Sequence, residues 1–189
     1  MMHLNKSLSA LALLTLTSTS AWADEGPSGI IHFTGDIINP SCKIVGEGGT
    51  TDSTVKLGSY PPSTFSAMGE KSTNMKFVLT LIDCPVATDG LDQIQLTFSG
   101  DTVPGEDDVL ALDATSTAAG VGISVVSEND KTLNLNMKGE EGQLFIPLMT
   151  SAGNITTNLF ARFQSIVATP AEITPGTASS QMIVNIVYH

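Results

Sequence analysis

The chain has 189 residues, of which 19 are acidic and 8 basic, giving a formal charge of −11, and only 5% are aromatic. So acidic a surface argues against nucleic acid and against an anionic membrane as partners, and its ordinary consequence is solubility. The length suits one domain.

The first 23 residues read as a secretory signal peptide. His3 and Lys6 make a weakly positive start, Leu8 to Leu16 is apolar, and Ala21-Trp22-Ala23 supplies a small-x-small cleavage pattern. The apolar run is too short to span a bilayer, so no membrane anchor is expected. Removing 23 of 189 residues leaves 166, Asp24 to His189, and takes Lys6 with it, so 7 basic residues face 19 acidic ones, a net −12. Two cysteines remain, Cys42 and Cys84. In a secreted chain an even count reads as one disulfide, and closing this loop stabilises by about 4 kcal/mol at most. A metal site would need more ligands, and beyond carboxylates the secreted chain offers only His32 and His189.

After a polar stretch from Asp24 to Ser28 comes Gly29 to Ile38. Ile31, Phe33, Gly35 and Ile37 alternate with His32, Thr34 and Asp36, a period of two that gives an extended chain one apolar face. Such a strand either opens the chain's own sheet or reaches outside the domain to pair with another; the pattern alone leaves both open. Asn39-Pro40 ends it. Short strands are expected at Cys42 to Val45 and Thr54 to Leu57, with a glycine-rich turn between, then a loop from Tyr60 to Glu70. Met75 to Ile82 and Gln93 to Phe98 are clear alternating strands. Asp101 to Asp108 reads as an acidic loop, followed by strands at Val109 to Leu112 and Gly120 to Val126. Leu133 and Leu135 alternate with asparagines before a turn at Gly139 to Gly142. In Leu144 to Met149 the proline at 147 predicts an edge or a bulge. Asn158 to Val167 and Gln181 to His189 complete the series, the last with Met182, Val184, Ile186 and Tyr188 on one face. Many short strands, turn signals between them and no helical periodicity predict an all-β antiparallel sandwich.

A sandwich with a spare alternating strand at one end and a strand as its last element has the parts for head-to-tail addition, a contact that builds a filament when it does not close. Here the sequence resembles the pilins of the chaperone–usher pathway, especially type 1-like major subunits. The motifs are Phe33-x-Gly35-x-Ile37 ahead of Cys42, Val55-x-Leu57-Gly58, Leu79-x-Leu81-x-x-Cys84, Ala119 to Ile123, Thr174-Pro175-Gly176 and Tyr188. The resemblance implies an incomplete immunoglobulin-like sandwich of six own strands, over 42–189, with an N-terminal donor strand in an extension over 24–41. It implies that a periplasmic chaperone lends a strand to the groove beside the C-terminal strand, the stretch marked by Gly176, Met182, Val184, Ile186 and Tyr188. An outer-membrane usher would then receive the subunit, and the extension of a neighbouring pilin, another copy or a relative, would replace the chaperone. Ile31, Phe33 and Ile37 would fill pockets, with Gly35 at the tight position. Phe163 stands where many relatives carry tyrosine.

No enzyme is expected. With two histidines, a Ser-His-Asp triad lacks a well-fixed base, the spacing of Asp101, Glu106, Asp107 and Asp108 is not that of a calcium loop, and no phosphate-cradling glycine motif occurs. No cofactor is implied. The alternative to a shaft subunit is one that itself binds a receptor through its loops; a tip adhesin in this family would carry an extra lectin domain and lack the extension.

Overall fold

The computed structural model describes residues 29–35, 37, 39, 41–46, 48–136 and 144–188. The expected signal peptide, residues 24–28, the expected turn at 139–142 and His189 lie outside the described residues. The chain divides into two units, Met1–Phe33 and Thr34–His189; the sandwich lies in the second.

Among the described residues, nine strands make two antiparallel sheets. In chain order they are β1 (Lys43–Val45), β2 (Met75–Ile82), β3 (Gln93–Ser99), β4 (Thr102–Val103), β5 (Glu106–Leu110), β6 (Val121–Ser127), β7 (Leu144–Pro147), β8 (Ile155–Ser165) and β9 (Ile183–Tyr188). One sheet has the order β1-β2-β8-β6-β5-β4 and the other β7-β3-β9. The all-β antiparallel sandwich stands as the sequence predicts it. The resemblance implies six own strands, whereas nine are present among the described residues, some as short as β1 and β4, which pair over three and two residues.

The alternation seen in the sequence is what fills the space between the sheets. Phe77, Leu79 and Leu81 of β2 face Ile94, Leu96 and Phe98 of β3, and Ile123, Val125, Leu159 and Ala161 complete one buried cluster. Side chains of a strand alternate between faces, so each strand gives the core every second residue. Arg162 is buried on the other face of β8, where Nε donates to Ser124 Oγ (3.3 Å) and Nη1 to Asn74 Oδ1 (3.1 Å). These bonds satisfy a charge whose unpaired burial would be costly.

Two expectations are corrected. Thr54 to Leu57 belongs to neither sheet: Val55 and Leu57 pack against the core, but no neighbouring strand offers the segment a ladder. The acidic stretch 101–108 is not a loop but most of a hairpin, β4 and β5 turning at Gly105 with φ +89°. Glu106 and Asp107 stay at the surface while Val109 and Leu110 are buried, so the carboxylates ride on the exposed part of a strand. Pro147 is in β7, an edge strand, as its missing N–H predicts. Beyond the strands, the 60–70 loop carries Phe65 into a second, smaller cluster with Val121 and Ile173. Gly120 sits beside it with φ +84°, where a Cβ would lie 3.1 Å from the Ile173 Cα.

Candidate assembly site

Following the strands locates the open side of the sandwich. β9 pairs on one side with β3, from Ile94↔Tyr188 to Ser99↔Ile183, and among the described residues its other side carries no strand. β1 is likewise an edge, of the other sheet. The two edges meet at one end, where the Cys42 backbone N–H donates to the Tyr188 hydroxyl oxygen at 3.0 Å. The Cys42–Cys84 disulfide, with Cα atoms 4.1 Å apart, fastens this corner to the end of β2. The expected disulfide therefore forms, and it closes one end of the gap between the sheets.

From that corner the chain runs through Ile44, Val55 and Leu57 to Gly58, while β9, preceded by Met182, runs the opposite way, from Ile183 toward Tyr188 at the corner. The apolar side chains along both borders are only half buried although they pack on the core: Ile44, Val55 and Leu57 on one side, and Met182, Val184, Ile186 and Tyr188 on the other. Along β9 the alternation is strict, with Ile183, Asn185 and Val187 exposed between them. A core residue in a closed sandwich is covered on all sides, so a half-covered row beside an unpaired strand edge is a seam lacking one strand.

The far end of the seam opens into a cleft of about 500 Å³ whose walls include Gly58, Tyr60, Phe65, Phe163, Ile173 and Gly176. Phe163 stands edge-on to Tyr60, with ring centroids 6.2 Å apart. The cleft and the disulfide corner are at opposite ends: Ile155 of β8 is level with Leu81 and Ile44, and Phe163 lies eight residues further along the same strand.

The structure brings together four of the five residues expected on the groove strand. Gly176 is set apart from them, in the 174–179 segment that runs beside 113–119 and bonds to it through Ala118 N–H to Thr177 O (3.0 Å). A Cβ there would lie 2.5 Å from Ala118 N, so glycine permits this close approach and gives the cleft its wall. The described residues of 29–39 are in no strand, and Ile31, Phe33 and Ile37 are exposed, the last two at 92% and 105%. They are not the opening strand of either sheet. Sequence reasoning missed the opposite border of the seam and the cleft. Val55 and Leu57 read as part of a short strand and Phe65 as part of a loop, and their role depends on what lies across from them.

Among the described residues no group of three or more His, Cys, Asp and Glu gathers in a metal-holding arrangement, and no helix is long and apolar enough to cross a membrane. The fold and this site define an antiparallel structural sandwich with one edge of its last strand unpaired among the described residues.

Comparison with known proteins sharpens that class. A model of the family described as fimbrial protein matches residues 31–189, and the chain belongs to that family. It is 30% identical over 185 residues to the type-1 fimbrial protein subunit of Serratia marcescens, covering 94% of this chain and 95% of that one. It is 29% identical to long polar fimbria protein A of Salmonella typhimurium, covering 98% and 97%. Among solved structures the fold is similar to the P pilus rod subunit PapA, with a TM-score of 0.60 and 23% identity over 79% of this chain and 99% of that one. A subunit of a chaperone–usher pilus superposes with the same TM-score at 19% identity, covering 89% and 100%. The protein is a structural subunit of a surface fimbria and not an enzyme.

Proposed function

We propose that the subunit polymerises head to tail by donor-strand exchange, the extension of one copy entering the seam of the next. The observation that carries this reading is the half-buried row Met182, Val184, Ile186 and Tyr188 along an unpaired edge, matched in period by the exposed row Ile31, Phe33, Gly35 and Ile37. Insertion would bury both rows and give β9 a second ladder. About ten residues of strand pairing span roughly 33 Å, enough to cover the seam from end to end. Before assembly the same seam, left open, exposes apolar surface and unpaired backbone, a liability in a concentrated compartment. A periplasmic chaperone strand that occupies it temporarily, and an outer-membrane usher that exchanges chaperone for neighbour, suit that liability. The signal peptide at 1–23 is part of the same reading.

The test is an unboiled denaturing gel of material sheared from the cell surface, comparing the native chain with one lacking residues 29–37. The expected result is a ladder of multiples that collapses on boiling and is absent from the deletion, while chaperone-bound deletion protein persists. A single monomer band from the native chain would overturn the reading.

A further inference from the structure

We propose that a β-bulge closed by the Ser72 hydroxyl positions the cleft: Ser72, Asn74 and Arg162 fix Phe163 and, through it, the border of the seam that has no ladder of its own. The inference rests on the donor-strand reading and adds to that site three positioning residues, which act through Phe163.

Register shows the bulge. β2 and β8 pair without interruption from Leu81↔Ile155 to Met75↔Ala161, and pairing resumes at Lys71↔Gln164. Three residues, 72 to 74, therefore stand opposite two, 162 and 163, the count that defines a bulge. Where the register slips, a side chain stands in for a backbone acceptor. The Ser72 N–H donates to the Phe163 carbonyl oxygen at 2.9 Å, and the Phe163 N–H donates to Ser72 Oγ at 3.0 Å. Ser72 thus makes both bonds of an antiparallel pair, with its hydroxyl in the place of its carbonyl. It is buried, at 8% exposed, where an N–H left without an acceptor is costly. From the outer face the Arg162 guanidinium braces the same bulge, bonded to Asn74 before β2 and to Ser124 of β6.

A bulge beside a site re-aims a side chain, and here that side chain is Phe163. Its ring stands edge-on to Tyr60, and both rings line the cleft. Tyr60 follows Gly58, the end of the border that carries Val55 and Leu57, which pack on the core but pair with no strand. The far end of the 60–70 loop is pinned to β8 as well: the Gly69 N–H donates to Ser165 O and the Ser165 N–H to Glu70 O, both at 2.8 Å. The loop that walls the cleft is thus fixed to β8 twice, through Tyr60 on Phe163 and through the stretch from Gly69 to Ser72, and Ser72 serves both fixtures. A binding constellation keeps its shape through residues behind it whose own geometry is locked. Ser72, Asn74 and Arg162 fill that role here.

The experiment places Ser72→Ala, Ser72→Thr and, at an exposed position, Asn74→Ala in the secreted chain, Asp24 to His189, and in cells. Alanine at 72 removes the acceptor and threonine keeps it. In S72A the Gly69 amide is expected to exchange with solvent about tenfold faster while Leu96, in the middle of β3, keeps its native rate. The nuclear Overhauser contact between the Tyr60 and Phe163 rings is lost with it. S72T keeps both native, and N74A shows the S72A changes to a smaller degree. At equal amounts of subunit, S72A loses most of its ladder on unboiled gels of sheared surface material and S72T retains it. If Gly69 and Leu96 exchange faster by the same factor in S72A, the hydroxyl serves global stability alone and the proposal is overturned. A native ring contact or a native ladder from S72A overturns it too, as does S72T behaving like S72A. A native chain that forms no ladder, with the exchange and ring-contact changes as expected, refutes the donor-strand reading alone and leaves the bulge as a fixture of the cleft.

Discussion

The three-stranded sheet has two edges, and they are built in opposite ways. β7 is four residues long and ends in Pro147, which has no N–H to offer a further strand. β9 is six residues long, without proline, charge or bulge, and its inward side chains are half covered. Short length and proline are the usual means of blunting an edge. One edge is closed to pairing by its sequence, whereas nothing in the sequence of β9 blocks the edge that the topology leaves unpaired.

The contrast can be broken most severely from the open side. Ile186→Asp places a carboxylate in the half-buried row, where several kcal/mol of desolvation oppose ionic burial. Laddering on unboiled gels should vanish, and polymer surviving at native levels would mean that β9 is not the accepting edge. Next in size is the corner that holds the seam. Replacing Cys42 and Cys84 by serine removes a cross-link worth about 4 kcal/mol at most in the chain-entropy account. The midpoint of denaturant unfolding should fall accordingly. Gly176→Ala is expected to cost about 1–3 kcal/mol by overpacking against Ala118, again read from unfolding midpoints.

Smaller changes sharpen the comparison. Gly35→Val should leave the unfolding of the isolated subunit unaltered, since nothing lies within 4 Å of a Cβ at Gly35 there. In the native background it should slow polymerisation about tenfold, which corresponds to about 1.4 kcal/mol. Tyr188→Phe keeps the ring on the core and removes the bond from Cys42 N–H, for an expected loss of about 1 kcal/mol. That loss should disappear in a chain that also lacks the disulfide if the two act as one corner.

Much of this was legible before any coordinates. Ile94, Leu96 and Phe98 alternate so cleanly that strand, face and burial follow together, and Met182 to Tyr188 does the same for β9. The two cysteines specified their own pairing once the chain was read as secreted. The acidic hairpin escaped because charged residues on the exposed part of a strand carry the composition of a loop. Thr54 to Leu57 misled in the other direction: its side chains have the pattern of a strand, but a strand is defined by a partner, and none is present. Gly176 was grouped with the last strand by its place in the chain, whereas its neighbours are Thr117 and Ala118, some sixty residues earlier in the sequence.

What the amino-acid sequence determined by itself is local and periodic: which segments are extended, which face of each is apolar, where turns fall, and that Phe33-x-Gly35-x-Ile37 presents one apolar face. These follow from the two-residue repeat of extended backbone, which is fixed within a few residues of chain. Only the tertiary structure decided that β9 has one neighbour instead of two, that Tyr188 meets Cys42, and that Phe163, Phe65 and Gly176 wall one cleft. Each of those depends on segments far apart in the chain arriving at the same place, and a missing neighbour is visible only when all the others have been placed.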